Sequence, residues 1–123
     1  MLVVGGCGPR GGPGLLSLDG LGRSLREANI DVPVLTDGLP PRNAAGTWIS
    51  LFTPEAAAGG VLGLLRDGDS LRIDLQEGRI RTGIGAREFE RREPTGFPER
   101  AETAYAVRYA GTALPALGGA GFG

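Results

Sequence analysis

Lysine and histidine are both missing from this chain of 123 residues, and all 13 basic residues are arginine. Without lysine there is no Schiff base and no amine nucleophile. Without histidine there is no Ser–His pair and no imidazole ligand for zinc. Cys7 is the sole cysteine. It cannot form a disulfide within the chain, and one thiol cannot hold an iron–sulfur cluster. A reducing, cytoplasmic setting is the expectation. Thirteen basic and 14 acidic residues leave a net charge of −1, which does not favour nucleic acid or an anionic membrane as partner. No apolar run approaches the ~18 residues of a membrane span. The opening residues lack the basic region and long apolar core of a signal peptide.

What the chain has in excess is glycine, 23 residues, well above the usual ~7%. No three-residue glycine period is present, so the excess reads as tight turns and close backbone contacts, not collagen. The length suits one domain spanning residues 1–123. A core burying roughly two-thirds of the unfolded surface is within its reach. The glycine-rich end, residues 117–123, reads as loose.

Along the chain, Leu2–Val4 reads as a short buried strand, followed by a glycine- and proline-rich loop. Leu18, Leu21, Leu25 and Ala28 recur at helical spacing, with Arg23, Arg26 and Glu27 facing water and Ser17 or Asp19 as cap. Residues 32–35 and 47–52 read as strands on either side of a long loop. In residues 53–60, Thr53 is a good N-cap, Pro54 suits the first helical position and Gly59 the exit. Strands are expected at 61–65 and 70–75 around the Asp67-Gly68 turn, and again at 79–84 after Gln76-Glu77-Gly78. A charged helix is expected over 86–92, with Glu88 and Arg92 in favourable i,i+4 order. A last helix is expected over 99–110, with Ala101, Ala104, Tyr105 and Tyr109 on its packed side. The fold class is α/β: one domain with a curved, barrel-like mixed sheet and a few short helices.

Gly6-Cys7-Gly8-Pro9-Arg10-Gly11 formally matches the G-x-G-x-x-G of dinucleotide folds. Pro9 and Pro13 remove two amide donors, and the helix starts too late, so a structural or substrate-facing loop is the better reading. Cys7 reads as an incidental thiol rather than a reactive one. Asp67 and Asp69 read as solvated turn residues, the 86–92 helix as solvated surface, and Trp48 and Phe52 as core. The loop Thr36-Asp37-Gly38-Leu39-Pro40-Pro41-Arg42-Asn43-Ala44-Ala45-Gly46 between two strands is the best candidate site. Its Asp37 either caps loop amides or faces a ligand. Asp37, Gly38, Arg42 and Asn43 are the candidate substrate-binding residues.

Four segments in order carry a resemblance. They are Gly8-Pro9-Arg10-Gly11-Gly12-Pro13-Gly14, Thr36-Asp37-Gly38, Thr53-Pro54-Glu55-Ala56-Ala57-Ala58-Gly59-Gly60 and Asp67-Gly68-Asp69. They resemble the C-terminal domain of the dihydroxy-acid, phosphogluconate and sugar-acid dehydratases. That family writes them G-P-x-G-G-P-G-M-P-E, T-D-G-R-F-S-G-G-x-R-G and S-P-E-A-A-x-G-G-P-I-x-L-x-x-D-G-D. Glu88-Phe89-Glu90-Arg91-Arg92 and Arg108-Tyr109-Ala110 are similar to its later segments.

The resemblance implies a swivelling β/β/α domain that closes over an active site. There a 2,3-dihydroxy acid loses water to give a 2-keto acid. It also implies an iron–sulfur cluster and a magnesium ion. This chain is expected to hold neither; both would require a separate N-terminal domain or chain. Position by position, Pro41 occupies the family's catalytic serine and Ser17 its metal-ligating glutamate. A proline side chain moves no proton, and a neutral serine is a poor magnesium ligand. No catalytic or metal-binding residue is therefore expected here.

Three readings remain. The chain is a stand-alone, non-catalytic relative, the small subunit of a split iron–sulfur dehydratase, or a binding module for a small anionic metabolite such as a sugar acid or keto acid. The expected partner is a second copy or a larger dehydratase-type chain.

Overall fold

The computed structural model describes residues 1–11, 15–95 and 103–122. Leu2–Val4 forms β1, Val34–Thr36 β2 and Trp48–Ile49 β3; they make a parallel sheet in the order β1-β2-β3. Helix α1, Asp19–Glu27, links the first two strands. A separate antiparallel hairpin joins β4, Leu71–Asp74, to β5, Arg79–Thr82. Helices α2, Ala86–Phe89, and α3, Ala104–Thr112, follow. The mixed α/β class stands, but the described residues form two small sheets and no closed barrel. Among them no helix is long and apolar enough to cross a membrane.

Central β2 is buried throughout, and its Leu35 anchors a core with Ala56 and Leu62. Val3, Ile49, Phe52, Leu65, Leu71 and Ile80 pack against that cluster, so the hairpin shares the core of the parallel sheet. Alternation along the hairpin puts Leu71, Ile73 and Ile80 inward, and Arg72, Asp74 and Arg81 outward, but Leu75, expected on the buried face, lies past the end of β4 and is 71% exposed.

Helix α1 ends as its sequence dictates. Asn29 takes a left-handed φ of 52°. The Asn29 amide donates to Arg26 and that of Ile30 to Leu25, the paired bonds that satisfy the last carbonyls. Its start differs from expectation. Leu18 occupies the cap position with no side-chain bond, and Asp19 lies in the first turn with its carboxylate turned to another segment.

Two expected strands and one expected turn change. The third is cut to Trp48–Ile49, because Leu51 adopts a φ of 58°, which an extended strand cannot contain. That turn sends the Leu51 amide to the Gly38 carbonyl and the Phe52 amide to the Thr36 carbonyl. The segment expected as a strand at 61–65 is a 3-10 turn over Val61–Gly63, closed by Gly63 to Gly60 and Leu64 to Val61 bonds. A short apolar run does not by itself distinguish the two. The expected 53–60 turn is also tighter and later than read, with its 3-10 residues at Ala56–Ala58 and Gly59 leaving it in the left-handed conformation.

In α3 the Thr103 hydroxyl caps the Ala106 amide, and Ala106 is the buried residue. Of the residues expected on its packed side, Ala104 is exposed and Tyr105 is 70% exposed, whereas Tyr109 is half-buried as expected. Ala101 falls outside the described residues. The chain after α3 returns to it: the Tyr109 hydroxyl donates to the Ala120 carbonyl, and the Tyr109 and Phe122 rings meet edge to face.

Asp69 and Arg92 are not solvated. They form a two-pronged pair at 2.5 and 3.0 Å with side chains only 13% and 16% exposed, and Arg92 also holds Glu88 at 2.6 Å. The Arg92 hydrogen bonds, followed by the Arg66 amide, hold the Asp69 carboxyl below its ordinary value of 3.8. The stability this pair contributes is complete above about pH 4 and is lost as the pH falls through the lowered value. The urea midpoints of wild type and Asp69→Asn should therefore differ fully at neutral pH and converge in acid. A constant difference down to strong acid would contradict the pairing.

Candidate functional site

Parallel strands end side by side, and ligands of open α/β sheets bind at those carboxyl ends. Here β1 runs into Gly5 and Gly6, β2 into Asp37 and Gly38, and β3 into Ser50 and Leu51. Asp37 is completely buried. Its Oδ1 accepts from the Cys7 amide at 2.8 Å, and its Oδ2 accepts from the amides of Gly6 and Ala56, each at 3.0 Å. The carboxylate thus ties the glycine loop and the 53–60 turn to the end of β2. Of the two roles open to it, capping loop amides is the one seen in the structure.

A second buried acid does a parallel job. Glu55 is 1% exposed, and its Oε2 accepts from the Arg10 amide at 2.8 Å, while Oε1 has no hydrogen-bond partner among the described residues. The sequence reading passed over Glu55 because it sat within a motif read as a local turn. The available signal was an acid among alanines and glycines.

Together the two acids decide the glycine loop. The amides of Gly6, Cys7 and Arg10 point inward to Asp37 and Glu55, so they are not offered to a pyrophosphate. Helix α1 begins at Asp19, well past the last glycine of the motif. Cys7 is buried, its Sγ 3.9 Å from the Gly5 carbonyl.

The remaining site candidates form a second corner beside the first. Ser17 pairs with Leu39 as a parallel bridge, reinforced by Leu39 to Leu16 and Leu18 to Leu39 amide bonds. Ser17 therefore lies beside Leu39, two residues before Pro41. Pro41 is buried against α1. A methyl group built on Gly22 would lie 2.4 Å from the Pro41 Cγ.

Arg42 donates its amide to Asp19 at 2.8 Å, and its exposed guanidinium lies 3.9 Å from the same carboxylate. The Arg42 amide and then the Ser17 hydroxyl hold Asp19 below its ordinary value. Asn43 is exposed and accepts from Arg26 through its carbonyl at 3.0 Å. Gly38 is buried, its amide engaged by the Thr36 hydroxyl at 3.0 Å. Asp37 and Gly38 thus belong to the buried frame, whereas Arg42 and Asn43 belong to an exposed strap over α1.

The donor set does not fit the metals that the resemblance implies. Cys7 is one thiol, and a cluster needs several. The carboxylate nearest in sequence to Ser17 is Asp19, already committed to Arg42. Among the described residues no three acids, cysteines or histidines gather to hold an ion.

The corner still has a recognisable ancestry. Residues 1–120 match the family model of the dihydroxy-acid/6-phosphogluconate dehydratase C-terminal domain, so the chain belongs to that family and corresponds to its C-terminal domain. It is 36% identical over 124 aligned residues to dihydroxy-acid dehydratase 2 of Bordetella bronchiseptica, covering 98% of this chain and 22% of that protein. It is 40% identical over 87 residues to a dihydroxy-acid dehydratase of Desulfitobacterium hafniense, covering 69% of this chain and 16% of the relative. It is also 34% identical over 105 residues to an L-arabonate dehydratase of Azospirillum brasilense, covering 80% of this chain and 18% of the relative. The chain thus spans about a fifth of the length of these relatives.

Proposed function

We propose that this chain is a non-catalytic swivel-type domain that works in the cytoplasm by binding a dehydratase-type partner and does not itself dehydrate a 2,3-dihydroxy acid. The observation that carries this reading is Pro41, buried against α1 at Gly22, at the position where the resemblance places a proton-transferring serine. No side chain on the loop replaces it. Neither the guanidinium of Arg42 nor the amide of Asn43 is a proton-accepting group. Asp37 is walled in by three amides.

Two other roles differ in what they need. A small subunit of a split dehydratase would complete the site of a cluster-bearing chain, and the chain's span of about a fifth of its relatives favours keeping that role as the second reading. A module for a small anion would need loop amides to offer, and those of Gly6, Cys7, Arg10 and Gly38 are engaged internally.

The test is 2-keto acid formation from 2,3-dihydroxy acids. The purified chain and its Pro41→Ser, Ser17→Glu variant should both stay at the buffer rate. Keto acid formed by the chain alone would sink the proposal. A stable complex with a cluster-bearing dehydratase chain, without turnover, supports it. Turnover by that complex would instead establish the split enzyme.

A further inference from the structure

Two sheet edges face one cavity. In the parallel sheet β1 is an outer strand, with β2 on one side only. The Leu2 amide donates to the Pro33 carbonyl at 2.9 Å, so Leu2 and, two residues on, Val4 direct their backbone groups to β2. The amide and carbonyl of Val3 then point away from β2, as alternation in a ladder requires. In the hairpin the Gly83 amide donates to the Ser70 carbonyl at 2.8 Å, which makes that pair hydrogen-bonded. The next pair, Leu71 with Thr82, is then not bonded, and the Leu71 backbone groups point away from β5. Between these edges lies a cavity of about 530 Å³, lined by Met1, Leu2 and Val3 on one wall and by Ser70 and Leu71 on another, with Leu62 and Leu65 also lining it.

The walls combine backbone and the apolar side chains of Leu62, Leu65 and Leu71 with a polar rim of Arg66, Asp67, Asp69 and Thr95, of which Asp69 is held by Arg92. Val3 and Leu71 both pack on the core cluster around Leu62, so alternate side chains of an added strand would land on the same apolar layer. Arg66 also lines the cavity, but its guanidinium is spent on the carbonyls of Gly63, Leu65 and Glu93 and on the Thr95 hydroxyl. It is not offered to an anion.

We propose that this cavity is a strand-addition site. An extended polypeptide segment, apolar at alternate positions, enters it from a companion chain and pairs with Val3 of β1 on one side and Leu71 of β4 on the other. The two small sheets then become one. The companion as the source rests on the function proposed above and on the fivefold greater length of the relatives; the pairing itself rests on the two edges. Main-chain bonds would supply affinity and the apolar pockets selectivity, as in other strand-addition complexes.

The probe is a displayed library of random peptides about ten residues long, longer than a usual strand. Selection on the intact chain should enrich peptides that alternate apolar and polar residues. An enriched peptide should slow hydrogen exchange at the Val3 and Leu71 amides at least about tenfold. Val3→Pro removes the amide facing the cavity but neither β1–β2 donor, and should weaken binding about tenfold. Leu71→Pro on the facing edge gives an independent check where Val3→Pro does not fold. No enrichment, protection confined to other strands, or full affinity in both folded variants would overturn the proposal. The peptide result is read without any dehydratase assay, so its failure and a failure of the functional reading are separate.

Discussion

Asp37→Ala should leave most of the chain unfolded in ordinary buffer. The side chain is wholly buried and accepts three backbone amides at 2.8 to 3.0 Å. Each buried donor left without a partner costs about 1–3 kcal/mol, so the loss of three is on the order of 3–9 kcal/mol. That is comparable to the whole stability of a small domain, about 5–15 kcal/mol. The consequence is architectural. The glycine loop and the 53–60 turn would both come away from the end of β2, and the Leu35–Ala56–Leu62 core would lose Ala56. Asp37→Asn should be intermediate, because its amide nitrogen faces donors where an acceptor is needed. Urea titration followed by far-UV circular dichroism measures both. A wild-type midpoint for Asp37→Ala would mean that the carboxylate is not structural, and would reopen a role toward a ligand.

Gly60→Ala should cost about 3 kcal/mol or more, at the upper end of overpacking substitutions. A β-carbon there would sit 1.8 Å from the Pro54 carbonyl oxygen and 2.6 Å from that of Glu55. Both obstacles are backbone, so no rotamer change relieves them. The Gly60 amide already closes the turn on the Glu55 carbonyl at 2.8 Å. Moving it displaces Glu55, which holds the Arg10 amide, and Ala56, which donates to Asp37. Gly85→Ala is the control: it has an ordinary helix-entry conformation and nothing within 4 Å of the new carbon. Its effect should stay within about 0.5 kcal/mol. Equal melting temperatures for the two variants would contradict the packing described for the 53–60 turn.

Much of the fold was legible because its signals are local. Helix α1 and the β4–β5 hairpin carry periods of 3.6 and 2 and are bounded by Asn, Asp-Gly or Glu-Gly chemistry, and strand β1 is a short apolar run before a glycine pair. Leu18, Leu21 and Leu25 fall half-buried as that period requires, though Ala28 at the helix end is exposed. The elements misread were those in which a distant segment overrode local preference. Leu51 takes a left-handed conformation to meet Gly38. The Val61–Gly63 run, apolar enough for a strand, curls so that Leu62 reaches the core. Arg92, expected on the solvated face of a helix, lies past the end of α2 and pairs with Asp69.

At the candidate site the amino-acid sequence alone settled which chemical groups exist. Four motifs in order place the chain in the dehydratase family, and the residues at positions 17 and 41 are read directly as serine and proline. Such facts need no coordinates, because a side chain's capacity to hold a metal or move a proton is a property of its type. What those side chains touch required the tertiary structure. The partners of Asp37 lie 31, 30 and 19 residues away, and Asp69 and Arg92 are 23 apart. No local period carries that information. It arises only when the strand ends, the glycine loop and the 53–60 turn are packed together and every buried amide must find an acceptor. The same packing left Val3 and Leu71 facing a shared cavity, which neither strand's sequence discloses by itself.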